Sequence, residues 1–321
     1  MKYKLDDKLF IDVNGDKQHL HIRSNKPDGD VLLFVHGGPG VCDRTWVMPA
    51  QSKYLADYCV MVCWDQRMAG KSFNEANINK NITVNEMIED MHEVVLYLCK
   101  RFNKDKICFV GHSWGTILGV CYLQKYPETI KAYVGMGQFV NGAENEKQSY
   151  HFVLDYAKSH NDTKAIKTLE EIGEPVDGLF VNNWYESMMI QRNYLTIYGG
   201  GSYKKTEGVF SSVLLPLITS GEYSIFDFSK YIKGSYHCLK KLWQEVVKLK
   251  FDNTVHKLDV PVYIFQGEHD QNTPTNLVKK WFDELEAPYK ELVLFHESAH
   301  APIKEEAELW GTTLRNKLFI K

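Results

Sequence analysis

The chain has 321 residues, 44% of them hydrophobic and 25% charged, the composition of an ordinary globular protein long enough for one α/β domain with an insertion or for two domains. Its 38 Lys and Arg against 41 Asp and Glu leave a formal net charge of −3 with no basic stripe, so nucleic acid is not an expected partner. No apolar run reaches the length of a membrane span, and the opening MKYKLDDKLFIDV has scattered charges and no apolar signal core, so neither a membrane partner nor secretion is expected.

In chain order, Tyr3 to Val13 and Lys17 to Arg23 flank Asn14-Gly15, a tight-turn signal that predicts a β-hairpin. Short continuous apolar runs follow at 31–35, 59–64 and 107–110, the pattern of strands buried on both faces of a parallel sheet. Between them Val84, Met87, Ile88, Met91, Val94, Val95 and Leu98 recur at helical spacing. Further strands are expected at 132–135, 260–265 and 291–295, the last as a buried strand. Strands alternating with helices predict a three-layer α/β fold with the hairpin as its antiparallel edge. The stretch 139–258 breaks the rhythm: it is polar and aromatic, with helical segments such as NNWYESMMIQRNYL and SYHCLKKLWQEVVKL, and IYGGGSY as a loop. It reads as a mostly helical cap inserted between a first core part, 1–138, and a second, 259–321. The seven cysteines, an odd number with several in apolar runs, read as reduced thiols and favour the cytoplasm.

Two motifs compete to explain the chemistry. His296-Glu297-Ser298-Ala299-His300 fits the zinc-protease pattern H-E-x-x-H, which works only on a helix, where both histidines share a face. Here an apolar strand pattern precedes it and Pro302 follows it, so a strand running into a loop is expected and zinc is not. Gly111-His112-Ser113-Trp114-Gly115 fits G-x-S-x-G between a strand and a helix, the setting that exposes a nucleophilic serine on a sharp turn. A serine needs a base, and the base an orienting acid. In the order serine, acid, histidine, the loop QGEHD after the 260–265 strand supplies Asp270, with Glu268 as the weaker competitor. The loop after the last strand supplies His300, with His296 expected to point into the structure. His36-Gly37-Gly38-Pro39-Gly40, directly after an early strand, and Trp114, directly after the serine, offer main-chain N–H groups for an oxyanion.

These segments resemble the proline iminopeptidase-like family of the α/β-hydrolase superfamily: HGGPG at 36–40, WDQRMAGKS at 64–72, GHSWG at 111–115, GEHD at 267–270 and ESAHAP at 297–302, in order. The resemblance implies an α/β-hydrolase fold, a mostly parallel sheet with helices on both faces and an inserted helical cap. It also implies a serine aminopeptidase without metal or other cofactor, releasing an N-terminal residue from a small-molecule or short-peptide substrate. Ser113, Asp270 and His300 would form the triad, with Gly38 and Trp114 as oxyanion donors. Such enzymes hold the substrate's free amine with cap carboxylates, which points here to Glu186, following a tryptophan in NNWYE, and then to Glu146 or Glu144 at the cap entrance. Met68 stands where the family usually has glycine. The alternatives are a carboxylesterase, lactonase or amidase on the same machinery, or a binding protein on a hydrolase fold. Serine at the elbow argues against the branches that attack with a carboxylate.

Overall fold

A computed structural model describes residues 2–204 and 215–320. Asn14 and Gly15 both adopt positive φ, 48° and 76°, the geometry a two-residue hairpin turn needs. They join β1 (Leu5–Val13) to β2 (Asp16–Ser24) in antiparallel register. The remaining strands are β3 (Asp30–Val35), β4 (Cys59–Asp65), β5 (Ile107–His112), β6 (Ile130–Met136), β7 (Val262–Gly267) and β8 (Lys290–Phe295). The sheet order is β1-β2-β4-β3-β5-β6-β7-β8; β2 pairs antiparallel with β4, and every later pairing is parallel.

The continuous apolar runs have a direct explanation. Val31, Leu33 and Val35 of β3 enter one core, and Leu32 and Phe34 the other, so successive side chains feed two layers. The first layer is closed by α2 (Val84–Phe102) and α3 (Trp114–Lys125), the second by α1 (Arg44–Leu55) and, at the C-terminal end, by Trp310 and Leu314. Thr83 and Glu86 form a reciprocal capping box at the start of α2, and Asn103 ends it in the left-handed conformation. β8 departs from expectation: it is the edge strand, and Leu292, Val293 and Leu294 are only half-buried. Its apolar run faces one packed neighbour, not two.

Between β6 and β7 lie α4 (Gly142–Ser159), α5 (Thr163–Ile172), α6 (Trp184–Ile197), α7 (Leu215–Thr219), α8 (Asp227–Val246) and α9 (Phe251–Thr254). Residues 205–214 of the expected cap lie outside the described residues. Tyr150, Val153 and Leu154 of α4 pack with Ala165 and Leu169 of α5 and Met188 and Leu195 of α6, giving this helical layer an apolar core of its own. A buried charge cluster docks it on the sheet: Glu222 lies 2.7 Å from His21 Nδ1 and 3.3 Å from Arg44 Nε, and the Tyr223 hydroxyl donates to Asp65 at 2.9 Å. After β7 come α10 (Thr275–Glu284), α11 (Pro302–Glu305) and α12 (Ala307–Leu318). Among the described residues no helix is long and apolar enough to cross a membrane.

Candidate active site

The elbow explains its own glycines. A Cβ on Gly115 would lie 2.0 Å from the carbonyl oxygen of Val35, so α3 could not cross β3 this closely with any side chain there. Ser113 is held at φ 53° and ψ −116°, a strained conformation for a residue with a Cβ, and its N–H donates to Met136 O at 2.9 Å. The strain lifts the serine out at the C-terminal end of β5, where it lines a cavity of about 220 Å³. Gly38 and Trp114 line the same cavity, and among the described residues neither main-chain N–H meets a main-chain acceptor.

The 64–72 segment ties these pieces together. Gln66 Oε1 accepts from Trp114 Nε1 at 2.9 Å, Gln66 Nε2 donates to His36 O at 3.0 Å, and Gln66 N–H donates to His36 Nε2 at 3.2 Å. Burial pushes the His36 pKa down, in keeping with a neutral ring that donates from Nδ1 to Gly37 O at 2.8 Å. Met68 sits at φ 61°, left-handed backbone that glycine adopts without strain, which fits the glycine that the resemblance would place there.

Asp270 and His300 meet, with His300 Nδ1 2.9 Å from Asp270 Oδ2. Asp270 is fully buried, and four more donors hold it. Oδ1 accepts the N–H groups of Asn272 at 2.8 Å and Thr273 at 2.9 Å, and Oδ2 accepts Thr273 Oγ1 at 2.8 Å and Gln266 Nε2 at 3.1 Å. Sequence reasoning missed Gln266 and Thr273; their only local signal is proximity to the acid. The His300 ring lies against Gly137, where a Cβ would fall 2.9 Å from Cε1, and its centroid is 5.1 Å from that of His112, beside the serine.

The competing histidine behaves otherwise. Residues 296–300 form turns after β8, not a helix, so the two histidines do not share a helical face. His296 does not point into the structure. Its side chain is 73% exposed and its Nδ1 lies 2.6 Å from Glu268 Oε2, which occupies the alternative acid at the surface. The residue directly after an edge strand turns outward because nothing packs beyond it.

The cap carboxylates also part company. Glu186, in the first turn of α6, is exposed and does not line the cavity. The first turn of α6 directs its Ser187 and Met188 inward and leaves position 186 to solvent. Glu144 lies near the N-terminus of α4, hydrogen-bonded to Gln148 beside a separate open cleft. Glu146, on the inner face of α4, is 3% exposed and lines the cavity with Asn145, Met188 and Trp243. Its Oε1 pairs with Arg192 of α6; its Oε2 is buried with no partner among the described residues. Burial, the largest influence, raises the Glu146 pKa despite the guanidinium beside it. Arg192 was not anticipated; nothing local distinguishes it from the other basic residues of the cap.

Residues 30–307 match the family model of the alpha/beta hydrolase fold. The chain belongs to the α/β-hydrolase fold family. This α/β-hydrolase is 30% identical over 307 residues to a Bacillus subtilis (strain 168) protein named "Probable aminopeptidase YbaC", covering 95% of this chain and 93% of that one. Among solved structures it is similar to a proline iminopeptidase-related protein from Thermus thermophilus, with a TM-score of 0.67, 14% identity and 98% and 97% of the two chains covered. It is also similar to the proline iminopeptidase of Mycobacterium smegmatis, with a TM-score of 0.66, 14% identity and 97% of each chain covered. At such identities the two structures speak for the fold alone. With its family and its aminopeptidase-like relatives, the α/β-hydrolase is a hydrolytic enzyme.

Proposed function

We propose that this α/β-hydrolase is a serine hydrolase that uses Ser113, His300 and Asp270, and that it acts as an aminopeptidase releasing an N-terminal residue. The observation that carries the reading is the convergence of the strained Ser113 elbow and the buried Asp270–His300 pair at one end of the sheet. Donation of Nδ1–H to Asp270 leaves His300 Nε2 as the basic nitrogen. It takes the Ser113 proton as Oγ attacks the substrate carbonyl, while Asp270 stabilises the imidazolium that forms. The N–H groups of Gly38 and Trp114 receive the oxyanion. His300 then protonates the leaving amine and activates the water that frees the acyl group and restores Ser113.

Glu146 supports the amine-recognition part. A buried carboxylate oxygen without a donor is costly, and a substrate ammonium in the cavity would supply one. Arg192 supports the second reading, an esterase, lactonase or amidase, because it already balances the Glu146 charge within mostly apolar walls. The test compares kcat/KM for prolyl and other aminoacyl amides with the same compounds N-acetylated and with short acyl esters. An aminopeptidase loses the acetylated compounds almost completely. Glu146→Gln then weakens the free-amine substrates selectively, by about 2–4 kcal/mol in transition-state binding, and Glu186→Gln does not. Equal turnover of acetylated compounds, or far faster turnover of esters, selects the second reading.

A further inference from the structure

His112 stands directly before the nucleophile, yet it does not line the cavity. Its Nδ1 is 2.7 Å from Asp43 Oδ2, and its Nε2 is 3.1 Å from the main-chain oxygen of His300. Both partners are acceptors, so both ring nitrogens must donate, which only the imidazolium does. Burial pulls the His112 pKa down, but the charge and hydrogen bond of Asp43 outweigh it and hold the pKa above the usual imidazole value. The other groups around the ring are the Asp270 carboxylate, the His36 and His300 imidazoles and the edge-on Trp46 indole.

The ring therefore touches each segment that the chemistry needs aligned. It belongs to the elbow. It bonds Asp43 and packs at Gly37, where a Cβ would lie 3.4 Å from Nδ1, both in the loop that carries Gly38. It holds the backbone of the loop that carries His300. Asp43 Oδ1 is buried without a partner among the described residues, so the pair is not one optimised for stability.

We propose that Asp43 and His112 form a second, buried carboxylate–histidine pair that positions His300, by fixing its main-chain carbonyl in register with the nucleophile elbow and the Gly38 loop. The proposal rests on the reading of Ser113 and His300 as nucleophile and base. His112 and Asp43 are positioning residues; neither reaches the substrate cavity.

Two near-isosteres separate positioning from mere structure. In His112→Asn the side-chain amide nitrogen falls where Nδ1 was, keeping the bond to Asp43 and losing the one to His300. In His112→Gln it falls near Nε2, keeping the bond to His300 and losing the one to Asp43. The readouts are Tm, the rate at which a fluorophosphonate labels Ser113, and kcat and KM on the best substrate of the panel above. His112→Asn is expected to keep most of the Tm yet slow labelling and kcat about 10- to 100-fold with KM unchanged, the effect of a misplaced base. His112→Gln, which keeps the tether to His300 but frees the side chain from the Gly38 loop, is expected to lower Tm more yet slow labelling less than His112→Asn, by about three- to tenfold. Rates that follow Tm in both variants, or labelling at the wild-type rate in His112→Asn, overturn the proposal. Labelling of Ser113→Ala as fast as wild type would overturn the triad and the proposal with it, an outcome distinct from either of these.

Discussion

Thr273 Oγ1 donates to Asp270 Oδ2 at 2.8 Å, the same carboxylate oxygen that His300 Nδ1 meets at 2.9 Å. The hydroxyl sits between acid and base, 3.5 Å from the imidazole nitrogen, so it sets the angle at which the acid presents itself. Thr273→Val removes that donor while keeping the shape. It should lower kcat by about tenfold, the worth of one hydrogen bond to a charged group. Asp270→Asn should cost about 10⁴-fold, because an amide no longer selects the tautomer that leaves Nε2 basic. Steady-state kinetics on one substrate ranks the two; a Thr273 effect as large as the Asp270 effect would contradict the assignment of the acid.

Gly137 should tolerate no side chain. Its φ is +55°, and an added Cβ would stand 2.9 Å from His300 Cε1 and 3.0 Å from Nδ1. Gly137→Ala should displace the ring and reduce kcat by about 10²-fold, as small misplacements of catalytic groups do. KM should change little. An alanine variant with wild-type kcat would mean that the ring has room the structure does not show.

The two histidines of the 296–300 segment should behave oppositely. His296 and Glu268 pair at the surface, with side chains 73% and 43% exposed, where ion pairs contribute little. His296→Ala should leave both Tm and kcat/KM close to wild type. His300→Ala should abolish turnover without unfolding the chain. A loss of activity in His296→Ala comparable to that in His300→Ala would reopen the choice of base.

Acid should loosen the cap's docking on the sheet through Glu222. Burial alone would raise its pKa; the hydrogen bond from His21, with the charges of His21, Arg44 and Lys8, outweighs burial and holds the pKa below 4.5. The folded state thus binds this proton less readily than the unfolded state. The resulting stabilisation is complete above the unfolded value and is lost as pH falls through the lower folded value. Tm should therefore drop below about pH 4.5, and Glu222→Gln should flatten part of that drop. At neutral pH the same variant should lose on the order of 2 kcal/mol in a denaturant titration. An unchanged acid limb in Glu222→Gln would assign the loss to other carboxylates.

Features that depend on neighbours along the chain are legible in the residues themselves. The Asn14-Gly15 turn, the apolar runs of β3 to β5 and the G-x-S-x-G elbow are local, because a two-residue turn, a strand buried on both faces and a serine between close-packed backbones each demand particular residues at fixed short spacings. Chain order, with the resemblance, extended this to Asp270 and His300, which the fold brings to 2.9 Å. The rest emerges only when distant segments pack together. Glu186 and Glu146 are equivalent as letters; helix phase turns one to solvent and buries the other in the cavity. β8 reads as buried until the sheet order makes it an edge. Arg192 meets Glu146, Asp43 meets His112, and Glu222 meets His21 and Arg44 across 46, 69, 201 and 178 residues respectively. Such buried charge pairs carry no local periodicity. A side chain acquires them only when packing excludes water and brings its partners within reach.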